Sequence, residues 1–68
     1  MYIIQRLGRD ACWHDMVGEE YSIARVARYR AYDLSFEHPD RTYRAKDITT
    51  GTILITFGPE GVPLPNQD

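Results

Sequence analysis

Tyr43-Arg44-Ala45-Lys46-Asp47-Ile48-Thr49-Thr50-Gly51-Thr52-Ile53-Leu54-Ile55-Thr56-Phe57 is the stretch that decides the fold. Its first five residues alternate, with Tyr43 and Ala45 to one side and Arg44 and Lys46 to the other. That two-residue period is the mark of a half-buried strand. Ile53, Ile55 and Phe57 alternate in the same way with Thr52, Leu54 and Thr56. Between the two runs lies Asp47 to Gly51. A type I turn followed by a glycine in the left-handed region makes a bulged hairpin, and Gly51 stands where that glycine is needed.

Upstream, Ile23 to about Glu37 contains neither Gly nor Pro, and Pro39 ends it because proline disfavours helical geometry in the residue before it. Ser22 is the expected N-cap, with Tyr21 and Val26 spaced as a hydrophobic staple and Glu19 and Glu20 placed to suit the helix dipole. Advancing about 100° per residue gathers Ile23, Val26, Ala27, Ala31 and Leu34 into one stripe. Ala27 and Ala31 are small and let the helix axis approach a sheet closely. Arg30 falls inside the stripe, so its stem is expected to pack while the guanidinium reaches an edge. The opposite side carries Arg25, Arg28, Tyr29, Tyr32 and Phe36, where a routine solvent face would hold Glu, Lys and Gln.

Further upstream, Tyr2-Ile3-Ile4-Gln5-Arg6-Leu7 and Cys12-Trp13-His14-Asp15-Met16-Val17 read as two strands joined by a turn at Gly8 to Ala11. Trp13 and Val17 would share one face, and Cys12, His14 and Met16 the other. Arg6 and Gln5 interrupt both alternations of the first strand, so the pattern does not choose its buried face. Downstream of Phe57, Gly58 to Asp68 holds three of the four prolines and a polar end. Proline cannot donate to a ladder, so this segment reads as a flexible, disordered tail. The sequence thus predicts an α+β fold of order β-β-α-β-β. One antiparallel sheet carries one helix on one face, in a single domain over 1–57 followed by a tail over 58–68. The open sheet face would carry Arg44, Lys46, Thr52, Leu54 and Thr56.

Tyr43 to Gly51 resembles a Y-R-x-x-D-x-x-T-G hairpin that follows an alanine-bearing helix in small bacterial and phage proteins. The resemblance spans about residues 2–57. It implies the fold and a phage or mobile-element accessory setting, and no biochemical activity.

A 68-residue chain makes one domain with a modest core. Its net charge is −2, and seven of its eight basic residues are arginine. That balance is not the footprint of a non-specific nucleic-acid binder. The single cysteine, Cys12, rules out an internal disulfide and favours a cytoplasmic setting. The N-terminus shows neither a signal-peptide pattern nor a membrane span.

No residue set for catalysis, cofactor binding or metal binding emerges. His38-Pro39-Asp40 resembles the signature loop of J-domain co-chaperones, but that loop needs two antiparallel helices around it and strands follow here. Cys12 and His14 with His38 or Asp15 fall short of zinc-ligand spacing. Cys12 beside His14 on one strand lacks an oxyanion hole. The expectation is a non-catalytic module that binds a protein partner or its own copy through Arg25, Arg28, Tyr29, Tyr32 and Phe36, since Tyr and Arg are enriched at interface hot spots. The competing possibilities are that Tyr29 or Phe36 packs under the tail, or that the helix is rotated. The alternative function is nucleic-acid binding through the helix arginines or the Arg44/Lys46 face. The hairpin reading has its own test. Gly51→Val should destabilise the domain by more than about 1 kcal/mol in urea unfolding, because β-branched residues resist a positive φ.

Overall fold

The computed structural model describes residues 1–65. The hairpin that decided the fold is present: Tyr43–Asp47 pairs antiparallel with Ile53–Phe57, with Tyr43 opposite Phe57 and Ala45 opposite Ile55. Gly51 holds φ +79° and donates its N–H to the Asp47 carbonyl at 2.7 Å. Asp47 also accepts the Thr49 N–H on its carboxylate at 2.9 Å, which fixes the turn from within.

Among the described residues, five strands form one antiparallel sheet and one α-helix covers it. In chain order the elements are β1 (Tyr2–Leu7), β2 (Trp13–Tyr21), α1 (Ala24–Glu37), β3 (Tyr43–Asp47), β4 (Ile53–Phe57), a 3-10 turn (Pro59–Gly61) and β5 (Pro63–Leu64). The sheet order is β2-β1-β3-β4-β5. β1 therefore joins the two hairpins, and its Ile4 lies opposite Ala45.

The core consists of Ile4, Ala27, Ala31, Leu34, Tyr43, Ala45 and Phe57. Burying side chains the size of Ile4 and Leu34 stabilises by roughly 2 kcal/mol each. Tyr43 is the largest side chain at the centre, and burial holds its phenol above the usual tyrosine range. With Tyr43, Phe57 and Ile4 filling the sheet side, the helix contributes small groups. Its buried residues are Ala27, Ala31, Leu34 and Ser35. Ser35 satisfies its hydroxyl by donating to the Tyr32 carbonyl one turn back. The helix is rotated from the expected stripe, for Ile23 and Val26 are exposed at 59% and 43%.

Arg30 and Glu19 tie the helix to β2. The Arg30 guanidinium donates to Glu19 at 2.8 and 3.1 Å and reaches Glu37 at 3.5 Å. Glu19 is therefore a cross-element partner rather than a dipole charge. Arg30, and then the Tyr21 hydroxyl, hold its carboxyl below the usual range. Ser22 does not cap. β2 runs on to Tyr21, Ile23 takes the cap position in extended geometry, and no side-chain cap bond forms. The C-terminus stops as expected, with the His38 N–H on the Leu34 carbonyl at 2.9 Å just before Pro39.

β2 is longer than its sequence pattern, and it bulges. Ile3 faces Glu20 and Gln5 faces Asp15, so the single residue Ile4 of β1 spans the same interval as Met16 to Glu19 of β2. Gly18 supplies φ +81° within the bulge. Val17 is thrown fully into solvent, while Trp13 stays half-buried, so the two do not share a face.

Structure also continues past the expected boundary at residue 57. Thr56 pairs with Leu64 and Phe57 with Pro63. The Glu60 N–H donates to the Pro39 carbonyl at 3.2 Å, and the Gly58 N–H to the Val62 carbonyl at 2.7 Å. Proline is tolerated in β5 because this strand is at the rim, where no further ladder calls on its missing N–H. The end of the expected tail, 66–68, lies outside the described residues.

Gly61 is buried at φ +75°, and a Cβ there would sit 2.9 Å from Phe36 Cε2 and 3.3 Å from Tyr32 Cε1. Gly61→Ala should therefore destabilise by about 1–3 kcal/mol in urea unfolding, from backbone strain and overpacking together. A second outcome concerns Glu19. A depressed carboxyl pKa contributes stability above the unfolded value, about 4.3, and loses it as pH falls through the folded value. The melting-temperature gap between the wild type and Glu19→Gln should be full at neutral pH and close as pH falls below about 4.3 and on through the folded value.

Candidate functional site

Rotation of the helix decides what its outer face carries. Arg25, Arg28, Tyr29, Tyr32 and Phe36 are all exposed, and they divide into two groups. Tyr32 and Phe36 meet edge to face at 4.8 Å, and Tyr32 also meets Phe57 at 5.2 Å. With Gly61 against both rings, these two aromatics roof the 3-10 turn, as one of the competing readings of Phe36 anticipated. Tyr29 is 65% exposed. Among the described residues no ion pair involves Arg25 or Arg28.

Ile23 and Val26 join this outer face. Val26, Tyr29 and Tyr32 follow at intervals of three residues, the spacing of one ridge on a helix surface, and Ile23 precedes them at the extended cap position. Sequence reasoning assigned Ile23 and Val26 to the core because they are the large aliphatics of the segment. The signal that would have moved them out is the bulk already supplied by Ile4, Tyr43 and Phe57.

The open sheet face holds a second constellation. Register aligns Asp15, Gln5, Arg44 and Thr56 across four strands. Gln5 donates to Asp15 Oδ1 at 2.8 Å and accepts from Arg44 Nε at 2.8 Å, which fixes the amide at both ends. The Arg44 guanidinium carbon stands 4.1 Å above the Trp13 ring, a cation–π contact. Burial pushes the Arg44 pKa down. Leu7, Trp13, Thr42, Arg44, Thr56, Leu64 and Pro65 line a groove of about 400 Å³. Arg44 and Thr56 were placed on this face by alternation. Trp13 and Gln5 were not, because only the register brings them to Arg44.

The Cys12–His14 neighbourhood is a turn. His14 Nε2 sits 3.1 Å from both Asp10 oxygens, and the Cys12 N–H donates to Asp10 at 3.1 Å. These two contacts, the backbone donor first, hold the Asp10 carboxyl low. Cys12 is exposed and free. His38 lies with its ring 6.4 Å from that of Tyr43. No group of three His, Cys, Asp or Glu among the described residues is placed to hold a metal ion. No helix among them is long and apolar enough to cross a membrane.

No family model, curated protein or solved structure matches the chain.

Proposed function

We propose that this protein is a non-catalytic binding module that docks a protein surface, first of all a second copy of itself, on the outer face of α1. The observation that carries the reading is the exposed ridge Val26-Tyr29-Tyr32, preceded by Ile23 and continued by Phe36. Apolar side chains gathered on one exposed face mark contact sites more often than single scattered ones do. Tyrosine and arginine supply area and directed hydrogen bonds at such sites. Arg25 and Arg28 rim the first half of the ridge with no ion pair among the described residues, so the fitting partner presents carboxylates beside an apolar strip.

Self-association meets that requirement. The helix is basic at Arg25 and Arg28 and acidic at Asp33 and Glu37. An antiparallel copy brings each basic half opposite the acidic half of its partner and lays ridge against ridge. The size of the chain and the resemblance of its second hairpin support an accessory or inhibitory role in a phage or mobile-element setting. A cytoplasmic location fits the single free thiol.

The test is Val26→Ser combined with Tyr29→Ser. Both side chains are exposed, so stability should change by no more than about 0.5 kcal/mol for each. Sedimentation velocity over a concentration series should show the wild type dimerising and the double variant remaining monomeric. A wild type that stays monomeric at every concentration, or a variant that dimerises equally, defeats self-association. Binding of an oligonucleotide with a steep salt dependence would move the function to nucleic acid, since phosphate neutralisation releases counterions.

A further inference from the structure

The geometry points to a second binding site on the sheet face opposite α1, a groove that takes a small organic monocarboxylate with its anionic end on Arg44 and its apolar body between Leu7, Leu64 and Pro65. This site is independent of the helix face. Arg44 is a cation held in place, with its charge unanswered by any described residue. Nε is committed to Gln5 at 2.8 Å, and the guanidinium plane is supported by Trp13 at 4.1 Å. Among the described residues, no carboxylate lies within ion-pair distance of it. Asp15 could have served from the same row, but Gln5 stands between, taking Asp15 with its amide nitrogen and Arg44 with its oxygen. The amide thus keeps the neighbouring acid away and leaves the two Nη groups of the arginine for another acceptor.

Those groups form a planar fork that matches a carboxylate in two parallel hydrogen bonds. Thr56 strengthens the assignment. It is only 7% exposed and lines the same groove. Thr56 is the register partner of Arg44 on the neighbouring strand. Charge count selects the ligand class. Arg44 is the one basic residue among the lining residues, so the groove matches a single negative charge better than a phosphate dianion. Volume selects the size, because about 400 Å³ is at the lower end of small-molecule pockets. The aliphatic walls select an apolar body.

Trp13 is the only tryptophan in the chain, so its fluorescence reports on the site without a label. Titration of the full chain with hexanoate should change Trp13 emission and saturate. Hexanamide, which keeps the body and removes the charge, should bind at least about tenfold more weakly, since charge-assisted hydrogen bonds are about twice as strong as neutral ones. Inorganic phosphate should be weaker than hexanoate as well. Arg44→Gln should lose the response to hexanoate while retaining a native circular dichroism spectrum. If that variant fails to fold, Thr56→Val leaves the cation and its stack in place and should weaken hexanoate severalfold.

The proposal is overturned by an unchanged Trp13 emission through millimolar hexanoate, by equal binding of hexanamide, or by variants that bind as the wild type does. Tighter binding of a tetrapeptide with a free C-terminal leucine than of hexanoate would overturn the small-molecule assignment and make the groove a reader of chain ends.

Discussion

The contact on which the rest of the structure depends is the close approach of Ala27 and Ala31 to the sheet. Both are fully buried, and Ser35 beside them is also at 0% exposure. A helix that presents methyl and hydroxymethyl groups can lie low over strands that present Ile4, Tyr43 and Phe57. Volume is conserved across such a layer, because interiors are packed to near crystalline density. The bulky residues are therefore on the sheet and the small ones on the helix. Everything large on the helix other than Leu34 is turned sideways or outward, and the exposed ridge is the geometric remainder of that division.

This explains how far the sequence could be read. Alternation is a local signal, so the β3–β4 hairpin was legible and Gly51 announced its own turn, but the register shift at Ala45–Lys46 leaves Leu54, expected on the open face, packed against the core. The order of elements and the α+β class followed. Helix phase was less legible, because hydrophobicity ranks Ile23 and Val26 above alanine, while packing asks which volume is still vacant. That question has no answer until the facing residues are known. The bulge in β2 was hidden for a similar reason. Met16 to Glu19 contains a glycine but no broken alternation sharp enough to count surplus residues, and only pairing with β1 does so.

The segment after Phe57 was read from its prolines, which argue against a central strand. The argument holds for the centre of a sheet and fails at its rim, where β5 lies. The candidate sites differ in the same respect. The five residues of the helix face lie within twelve positions of one another and could be found by turning a wheel. Arg44, Gln5, Trp13 and Asp15 are drawn from three strands, with Arg44 and Gln5 39 residues apart. No spacing rule connects them, and strand register alone makes them neighbours.

Both rims of this sheet are poor templates for another chain. A growing cross-strand ladder needs an uninterrupted series of evenly spaced N–H and C=O groups. On the β2 side the surplus residues around Gly18 break that series and throw Val17 outward. On the β5 side Pro63 and Pro65 withhold the N–H groups that a newcomer would pair with. The fold can thus display an apolar helix ridge to solvent while its sheet stays closed to runaway stacking. An interface on the helix face would end after one partner, whereas pairing at the edges would propagate into fibres.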